Sequence, residues 1–578
     1  MPLPECQNAR MPECQNAKVD LASRNANAKP MKVLILGGYG TFGGRLAELL
    51  ADGGLQILIA GRDLAKARAF CTAHPGMHPL QADRATISQT LATHRPNILI
   101  DASGPFQTYG ANPYGVVMAC LAQGTNYLDL ADGADFVAGI GQFDAQAREA
   151  KVFVLSGVSS FPVLTAAVLS EMARTMTVTE ATGGIAPSPH ATVGPNVLRA
   201  ILSYAGAPVP VIRRGQPALA TGLCETRRFT IAPPGALPLH NTLFSLVDVP
   251  DLRAIPATMP TIQTLWIGAG PRPEVLHRVL ITLARMRALL RLPPLTGLAP
   301  VCQFMLARLR HGEHRGGMFV EAQGETNGHA ITRSWHMLAE GEDGPLIPSM
   351  AAEAVVRQCL AGAPPEPGAR SGIGALTLAD FNKLFARRTI TSGWRSQGEA
   401  ALYKQTLGSA FDTLPASLQA LHLPGARATW SGRATVRRGG SPLAALVAAM
   451  FSFPKAGQDV PVTVTFHTAA NGTEIWARIF AGRPLRSTQE AGKGRFRHLI
   501  TERFGPFAFG LALVIRSDHL HIIPRRWSFL GLPLPLALMP AGNSYETEIA
   551  GKFRFHVEIS LPLIGPVVTY EGWLEPEA

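Results

Sequence analysis

The sequence predicts an α/β fold: a doubly wound Rossmann parallel sheet with an inserted α+β substrate domain, followed by a mostly antiparallel β domain at the C-terminus. Three observations predict it. A glycine-rich loop follows a short apolar strand near residue 37 and opens a helix. Strands and helices then alternate as far as residue 162, which is typical of a parallel sheet. Beyond residue 421, helical patterns become rare and alternating strand patterns dominate.

Length and composition exclude several protein classes. A chain of 578 residues predicts about three or four domains. Its 47% hydrophobic and 16% charged residues exclude a largely disordered chain. Seven scattered cysteines form no Cys-x-x-Cys pair, which argues against a disulfide scaffold and favours the reducing cytoplasm. No apolar run approaches the roughly 18 residues of a membrane-spanning helix. We therefore expect a cytoplasmic protein.

Residues 1–30 precede the first strand and lack an apolar core. A seven-residue segment beginning at Pro4 is nearly repeated from Pro12. The absence of a 7–15-residue apolar core excludes a signal peptide. We expect a disordered leader, with Met31 opening the first strand.

The predicted dinucleotide-binding domain spans residues 31–162. Its first strand, Lys32–Leu36, ends in a loop that satisfies G-x-G-x-x-G. Glycines permit the tight turn and the close approach of a pyrophosphate, and the following helix offers free N–H groups to its oxygens. The motif has the strand before it and the helix after it that such a site needs. The predicted binding residues of this loop are Gly37, Gly38, Tyr39, Gly40, Thr41, Phe42 and Gly43.

The end of the second strand indicates which dinucleotide is bound. NAD enzymes place an acidic residue about twenty positions after the loop, whereas NADP enzymes place an arginine near the 2′-phosphate. Arg62 occupies that place and favours NADP, while Asp63 beside it leaves NAD open. The third strand, Met77–Gln81, leads to Asp83, which we expect near the adenine.

The remaining strands of this domain carry a family resemblance. We predict them at Asn97–Ile100, Asn126–Leu130 and Lys151–Leu155, with a helix at Tyr114–Gln123. The glycine loop, the Gly-Pro-Phe loop after Asp101, Tyr127-Leu-Asp129, and the segment Gly157–Pro162 resemble the saccharopine dehydrogenase-like reductases. The resemblance implies that the nicotinamide ring lies against Gly104, Pro105 and Phe106. Ser103 belongs to the same strand-end loop and is also a predicted cofactor-binding residue. The glycine-glutamate pair that often follows in that family is not matched at Asp132-Gly133, so Asp129 and Asp132 are also interpretable as strand-end helix caps.

The middle region, residues 163–345, is predicted as the α+β substrate domain. Helices are expected at Val163–Met176 and Gly194–Ala205, and Asn327-Gly328 predicts a hairpin. Helices at Met350–Gly362 and Leu376–Ala386, within residues 346–386, should return to the first domain, with a loop over Gly362–Gly374 between them. The catalytic residue remains unknown. Histidine or tyrosine would serve as a proton donor, and the candidates are Tyr109, Tyr204, His190, His329 and His336.

We expect no metal site. His311 and His314 have a spacing of three residues but no third ligand, so a solvated basic loop is the preferred interpretation.

The net charge of +12 is concentrated in two segments. One is 272–315, with eight arginines against two glutamates, and the other is 401–578. The first contains an amphipathic helix over 275–291, whose apolar residues include Val275, Val279, Met286 and Leu290. Two interpretations stay open: the apolar stripe packs on the core, or the helix lies on an anionic membrane.

After a predicted linker at 387–400, residues 401–578 read as a β-rich domain. We predict eight strands in a curved antiparallel sheet, at Ala428–Arg437, Val460–His467, Thr473–Phe480, Arg497–Phe504, His519–Ile523, Glu546–Ile549, Arg554–Ile559 and Val567–Trp573. The segments around Trp476, Glu502, Leu532 and Tyr570 resemble the domain family DUF4166. This resemblance implies no function. Five side chains of these segments either line a pocket or serve as alternate-face packing and rim pairs: Glu474, Trp476, Arg478, Glu502 and Tyr570.

Together these features predict an NADP-dependent oxidoreductase acting on an unidentified small molecule. The apolar composition favours a hydrophobic substrate. The absence of lysine from 152 to 382 argues against a saccharopine-forming mechanism that uses a lysine of the middle domain. The alternative is a non-catalytic NADP-binding protein whose C-terminal domain holds an apolar ligand or partner. We expect a homo-oligomer with a small-molecule substrate, leave a peripheral membrane contact open, and expect no nucleic acid, because aromatics are only 7% and no binding motif is present.

Overall fold

The structure is a computed structural model that describes residues 30–51, 54–191, 193–309, 312–396, 401–423, 427–469 and 472–577. The predicted leader lies outside the described residues except for Pro30. So do His311 of the histidine pair and residues 397–400 of the predicted linker.

The described part of the first domain contains a parallel sheet of seven strands. Their spatial order is β15-β6-β5-β4-β1-β2-β3, and each neighbouring pair is parallel. The order of the strands therefore reverses between β1 and β4, and the predicted doubly wound fold is confirmed. The strands are β1 (Lys32–Leu36), β2 (Gln56–Gly61), β3 (Met77–Gln81), β4 (Ile98–Asp101), β5 (Asn126–Asp129), β6 (Phe153–Ser156) and β15 (Gly368–Ser371).

Helices cover both faces of this sheet. Consecutive side chains of β1, β4 and β5 point to opposite faces and are nearly all buried, which requires a helical layer on each face. The N-terminal helices are α1 (Thr41–Leu50), α2 (Leu64–Ala73), α3 (Ile87–His94), α4 (Gly115–Gln123), α5 (Ala134–Gly139) and α6 (Asp144–Glu149).

The segment after the middle domain returns to this sheet. Helix α12 (Ile347–Leu360) packs on α1, where Ser349 Oγ donates to Phe42 O over 3.1 Å. Helix α13 (Leu378–Phe385) follows. The prediction that 362–374 is only a loop is wrong, since β15 pairs with β6 there, Ala369 opposite Val154. Strand β15 has only four residues, beginning with glycine and ending with serine, so it shows no hydrophobic period. Its pairing with the edge of β6 determines that it forms a strand.

The second domain is built on a mixed sheet of seven strands within the described chain. Its order is β10-β11-β12-β7-β13-β14-β16, with β12 and β7 parallel and the other pairs antiparallel. The strands are β7 (Thr177–Ala186), β10 (Thr226–Ile231), β11 (Leu239–Leu246), β12 (Thr264–Ala269), β13 (Arg315–Thr326), β14 (His329–Glu340) and β16 (Ile390–Ser396), and a separate hairpin joins β8 (Pro208–Arg213) to β9 (Gln216–Thr221). The helices are α7 (Thr165–Ala173), α8 (Pro195–Tyr204), α9 (Asp251–Thr258), α10 (Glu274–Leu290) and α11 (Ala299–Arg308).

Two sequence predictions for this domain have opposite outcomes. The β13–β14 hairpin turns at Asn327 and Gly328, both with positive φ, which confirms the Asn-Gly prediction. The predicted linker at 387–400 is wrong for 390–396, because β16 pairs with β14 and places Trp394 opposite Trp335. The strand pairs with the backbone groups at the edge of β14, whose Trp335 is buried. One hydrophobic core extends through both the first and the second domain.

The third domain begins with α14 (Leu402–Leu407) and α15 (Ala416–His422) and then closes ten strands into an antiparallel barrel, within residues 427–577 as described. Closure comes from the pairing of β22 with β23, which joins the two ends of the sheet. Helix α16 (Pro442–Met450) connects the first two strands. The strands are β17 (Arg427–Arg438), β18 (Gly457–Thr468), β19 (Glu474–Phe480), β20 (Arg483–Ala491), β21 (Ile500–Phe504), β22 (Phe507–Arg516), β23 (His519–Phe529), β25 (Tyr545–Ile549), β26 (Lys552–Leu561) and β27 (Gly565–Pro576), with β24 (Leu532–Pro533) as a short addition beside β23.

The predicted antiparallel architecture is confirmed, but β20 and β22 are absent from the predicted strands. Closure removes the exposed edges that an open sheet of this size would present. The barrel lies against the second domain: Ile515 N donates to Gly235 O over 2.8 Å, and Arg497 pairs with Glu321. Over the residues that the structure describes, no helix has the length and hydropathy to cross a bilayer.

Candidate cofactor and substrate site

The glycine loop between β1 and α1 has the geometry of a phosphate-binding turn. Gly37 adopts φ +79°, and a Cβ there would lie 2.8 Å from Ala102 O. A Cβ on Gly43 would lie 2.3 Å from Gly37 O, so the helix packs on the turn only without a side chain. Gly40 caps α1 without a side-chain hydrogen bond, and the first-turn amides are therefore available to phosphate oxygens.

The end of β2 separates the roles of Arg62 and Asp63. Asp63 is the N-cap of α2, where its carboxylate accepts a hydrogen bond from Lys66 N over 3.1 Å. Its own backbone N–H donates to Tyr39 Oη over 3.0 Å, and the Tyr39 ring covers Gly61. Arg62 is exposed. The acidic residue is thus engaged in the helix, while the guanidinium is free to meet a ribose phosphate.

Asp83, which follows β3, lies on the same side as Arg62. Its carboxylate accepts hydrogen bonds from Thr86 N over 2.8 Å and Ala85 N over 2.9 Å. The bonds from Thr86, with a smaller contribution from the charge of Arg62, lower the pKa of Asp83. Asp83 therefore shapes a tight turn at the predicted adenine side and brings a negative charge near Arg62.

The predicted nicotinamide loop follows β4 and is held by a buried carboxylate. Asp101 Oδ1 accepts from Ser103 N over 2.9 Å and from Ser103 Oγ over 2.6 Å. Tyr109 Oη donates to Asp101 Oδ2 over 3.2 Å, and the guanidinium of Arg84 lies 3.4 Å from the centre of the Tyr109 ring. Burial raises the pKa of both Asp101 and Tyr109. This network fixes the start of the loop and keeps Tyr109 protonated.

The loop itself lies between the first and second domains. Phe106 is buried against Phe136, with ring centres 5.1 Å apart, while Gly104 and Pro105 remain half-buried. Asn196, in the first turn of α8, donates through Nδ2 to Gly104 O over 2.7 Å. A Cβ on Gly194, just before this helix, would lie 2.9 Å from Thr41 Oγ1. Helix α8 thus touches both cofactor loops.

The carboxylates near the end of β5 have different surroundings. Asp129 is fully buried, and its Oδ1 accepts from Gly157 N over 2.6 Å and from Ala131 N over 3.0 Å. Burial raises the pKa of Asp129 to about 7. Asp132 is half-buried, accepts from Gln107 Nε2 over 3.1 Å, and has a pKa raised by burial. The helix-cap interpretation is wrong for both, because α5 is capped by Gly133 without any side-chain hydrogen bond.

The five candidate proton donors fall in different places. Tyr109 lies beside the predicted nicotinamide loop, where its hydroxyl is 2.9 Å from Ser103 Oγ. Tyr204, at the end of α8, is half-buried, and burial together with the charges of Asp132 and Asp248 raises its pKa. The charges of Asp132 in the first domain and Asp248 in the second thus both act on the Tyr204 hydroxyl.

The three histidines lie elsewhere. His190 Nε2 bonds to Gly312 O over 3.1 Å, and its ring lies 4.7 Å from that of His314. His329 is exposed at the β13–β14 turn. This turn lies near the start of β7, whereas the chain leaves the other end of β7 to reach α8. His336 is buried between the second domain and the barrel, where its ring meets that of His498.

The five barrel residues singled out in the sequence all lie on the inward faces of their strands. Arg478 donates to Ser487 Oγ over 2.8 Å and to Glu502 Oε1 over 3.2 Å. Its guanidinium lies 4.8 Å from the Trp476 ring, and Trp476 Nε1 donates to Glu474 over 3.2 Å. Tyr570 is buried beside this group, and burial raises its pKa to about 12. They form one polar cluster inside the barrel, beside its aliphatic and aromatic core.

Across the described segments, no group of three or more histidine, cysteine, aspartate or glutamate side chains is arranged to hold a metal ion. Sequence reasoning missed three residues of the site: Arg84, Gln107 and Asn196. Each acts on a loop that is distant in sequence, 92 residues away for Asn196 and Gly104, so no local pattern could have indicated it.

Comparisons with known proteins place two segments in families. Residues 33–155 match the family model of the saccharopine dehydrogenase NADP binding domain, and residues 414–574 match the domain of unknown function DUF4166. No curated protein matches the chain.

Solved structures match parts of the chain. Saccharopine dehydrogenase (L-Glu forming) from Saccharomyces cerevisiae is 13% identical, with a TM-score of 0.45, over 64% of this chain and 100% of that one. Gre2 from Candida albicans in complex with NADPH is 14% identical, with a TM-score of 0.16, over 17% of this chain and 36% of that one.

Proposed function

We propose that this chain, which carries an NADP binding domain of the saccharopine dehydrogenase type and a DUF4166 domain, transfers hydride between NADP(H) and a hydrophobic small molecule. The bond between Asn196 and Gly104 carries the proposal. It seats the second domain over the carboxyl ends of the parallel strands, where ligands of such sheets bind. A substrate held by the second domain would then meet the nicotinamide loop directly.

The residues of the first domain divide the cofactor between them. The glycine loop and the first turn of α1 would bind the pyrophosphate. Arg62 would pair with the 2′-phosphate, because Asp63 is engaged as a helix cap. The half-buried loop over Gly104 and Pro105 would lie against the nicotinamide, which supplies or accepts the hydride when bound.

Asp132 and Tyr204 are the groups that would handle the proton. In the reductive direction, hydride adds to the carbon of a C=O or C=N bond, and the electron pair moves to the heteroatom, which takes a proton. Asp132 would supply it, since burial raises its pKa and favours the protonated form. Burial raises the pKa of Tyr204 above its ordinary value, so Tyr204 would stay protonated and orient the heteroatom as a hydrogen-bond donor.

A hydrophobic substrate is favoured by the apolar core that supports the nicotinamide loop. Phe106, Phe136 and Tyr109 form an aromatic cluster directly behind the nicotinamide loop. The stretch from 152 to 382 contains no lysine, so an ammonium group of the second domain takes no part in the reaction.

Titration of NADPH and NADH, followed by the fluorescence of the reduced nicotinamide, tests the cofactor assignment. Arg62→Ala should weaken NADPH binding by about 10- to 100-fold and leave NADH unchanged, because a charge-assisted bond is worth about 1.5–3 kcal/mol. Arg68→Ala removes an arginine of α2 that is also exposed and is the matched control. Equal affinity of the wild type for both dinucleotides would remove the assignment to Arg62.

The alternative is a non-catalytic NADP-binding protein whose barrel holds an apolar ligand. Exposed apolar side chains at one end of the barrel support it. Leucines there are exposed, including Leu530 at 73% and Leu532 at 70%. Stoichiometric NADPH binding without oxidation against a panel of ketones, imines and enones of increasing chain length would favour this alternative.

A further inference from the structure

Helices α10 and α11 turn apolar side chains toward solvent. On α10, Val275 is 71% exposed and Leu289 is 82% exposed, and on α11 Val301 and Phe304 are 59% and 57% exposed. The sequence pattern left open whether the apolar stripe of α10 packs on the core. The structure excludes that packing: the stripe is on the outside.

The faces of α10 are sharply divided. At about 100° per residue, Val275, Val279, Met286 and Leu290 fall within one quarter of the helix circumference. The residues that pack on the protein, His277, Ile281 and Ala284, lie on the opposite side. A surface helix of a globular protein normally points its apolar face inward, and this one is reversed.

Arginines border the exposed apolar face. Residues 272–309 contain six arginines and a single acidic residue, Glu274. Arg278 and Arg285 lie along one edge of the α10 face, and Arg308 lies over the Phe304 ring of α11, 5.0 Å from its centre. Glu274 is already shared by Arg228 and Arg278. The surface therefore combines exposed apolar side chains with a net positive rim.

Beneath this surface lies the helix that closes the cofactor site. Leu198 and Leu202 of α8 form a buried cluster with Ala299 of α11, and Leu280 of α10 packs against it. At its other end, α8 carries Asn196, which bonds to the nicotinamide loop. Helix α8 thus contacts both the helices of the exposed apolar surface and the loop at the junction of the two domains.

We propose that α10 and α11 dock this protein on the surface of an anionic lipid bilayer. Apolar side chains of such a helix enter the boundary between headgroups and acyl chains, and flanking arginines pair with anionic headgroups. A second protein chain would not require the arginine rim, whereas an anionic bilayer satisfies both features. If the proposed function also holds, the substrate is an amphiphile drawn from that bilayer beside α8.

Vesicle co-sedimentation of the full chain tests the proposal. Vesicles of phosphatidylcholine alone are compared with vesicles that also contain phosphatidylglycerol. We expect binding to the anionic vesicles, and this binding should weaken as the salt concentration rises. At low salt, each arginine removed should weaken the binding by about fivefold. Arg278→Glu with Arg285→Glu should abolish the preference for anionic vesicles.

A second variant tests the apolar contribution. Leu289→Ser with Leu290→Ser should weaken binding by about 100-fold, since each leucine side chain loses most of its transfer into the bilayer. Leu219→Ser, on the β8–β9 hairpin and 72% exposed, is the matched control and should bind as the wild type. NADPH affinity should be unchanged in all variants, which separates this proposal from the proposed function.

Three results would overturn the proposal. The first is no sedimentation of the wild type with anionic vesicles at low salt. The second is loss of binding with Leu530→Ser and Leu532→Ser instead, which would place the contact on the barrel. The third is a wild-type dimer in sedimentation velocity that the Leu289 and Leu290 variant converts to a monomer, which would show that a second copy covers the surface.

Discussion

Substitution of Asp129 by asparagine should stabilise the protein at alkaline pH and leave it unchanged at acidic pH. Asp129 is fully buried at the end of β5 and accepts hydrogen bonds from Gly157 N and Ala131 N through one oxygen. Asparagine keeps a carbonyl oxygen for both donors and removes the charge. The variant therefore isolates the cost of ionising this buried carboxyl group.

The magnitude follows from the pKa. Burial raises it from 3.8 to about 7 in the folded protein. The folded state thus binds the proton more tightly than the unfolded state, so this contribution to stability is complete below about pH 4 and is lost as pH rises through about 7. A shift of about three pKa units corresponds to about 4 kcal/mol. Because asparagine must also place its amide group, we expect a gain of about 1–3 kcal/mol.

Urea unfolding at about pH 3.5 and about pH 8, followed by circular dichroism, measures the difference. Asp83→Asn is the control with the opposite sign, because hydrogen bonds from Thr86 lower the pKa of that carboxylate and make its charge favourable in the folded state. Its effect should be a loss of stability at about pH 8. The same difference between Asp129→Asn and the wild type at both pH values would refute the reasoning.

Three other substitutions have defined outcomes. Gly43→Ala should weaken NADPH binding at least about tenfold, since its Cβ would lie 2.3 Å from Gly37 O, and unchanged affinity in calorimetry would contradict the loop geometry. Asn196→Ala should lower kcat/KM by about tenfold while changing NADPH affinity less than about twofold, because it removes one bond to Gly104 O; equal loss of both in steady-state and binding assays would argue against a substrate-side role. Arg497→Ala should destabilise the barrel by about 1–3 kcal/mol in thermal unfolding, because Glu321 would be left nearly buried and unpaired, whereas the exposed Arg503→Ala control should cost less than about 1 kcal/mol; identical effects would remove the interface from consideration.

The sequence by itself determined the first domain and its cofactor loops. The glycine loop, the strands around it and the position of Arg62 are local features, because each depends on a strand, a turn and a helix that follow one another in the chain. Local periodicity likewise indicated the β13–β14 hairpin, helix α10 and most of the barrel strands. The family match of residues 33–155 confirms NADP as the cofactor that these features predict.

Tertiary structure alone decided which elements meet. Strands β15 and β16 are short and lack a clear period, and they form because the open edges of β6 and β14 need partners for their backbone groups. The period of α10 defines an apolar face but not the direction in which it points, and the structure turns that face to solvent. Asn196 reaches Gly104 across 92 residues. The candidate active site therefore forms only when the two domains pack together, because its residues come from segments that are distant in sequence.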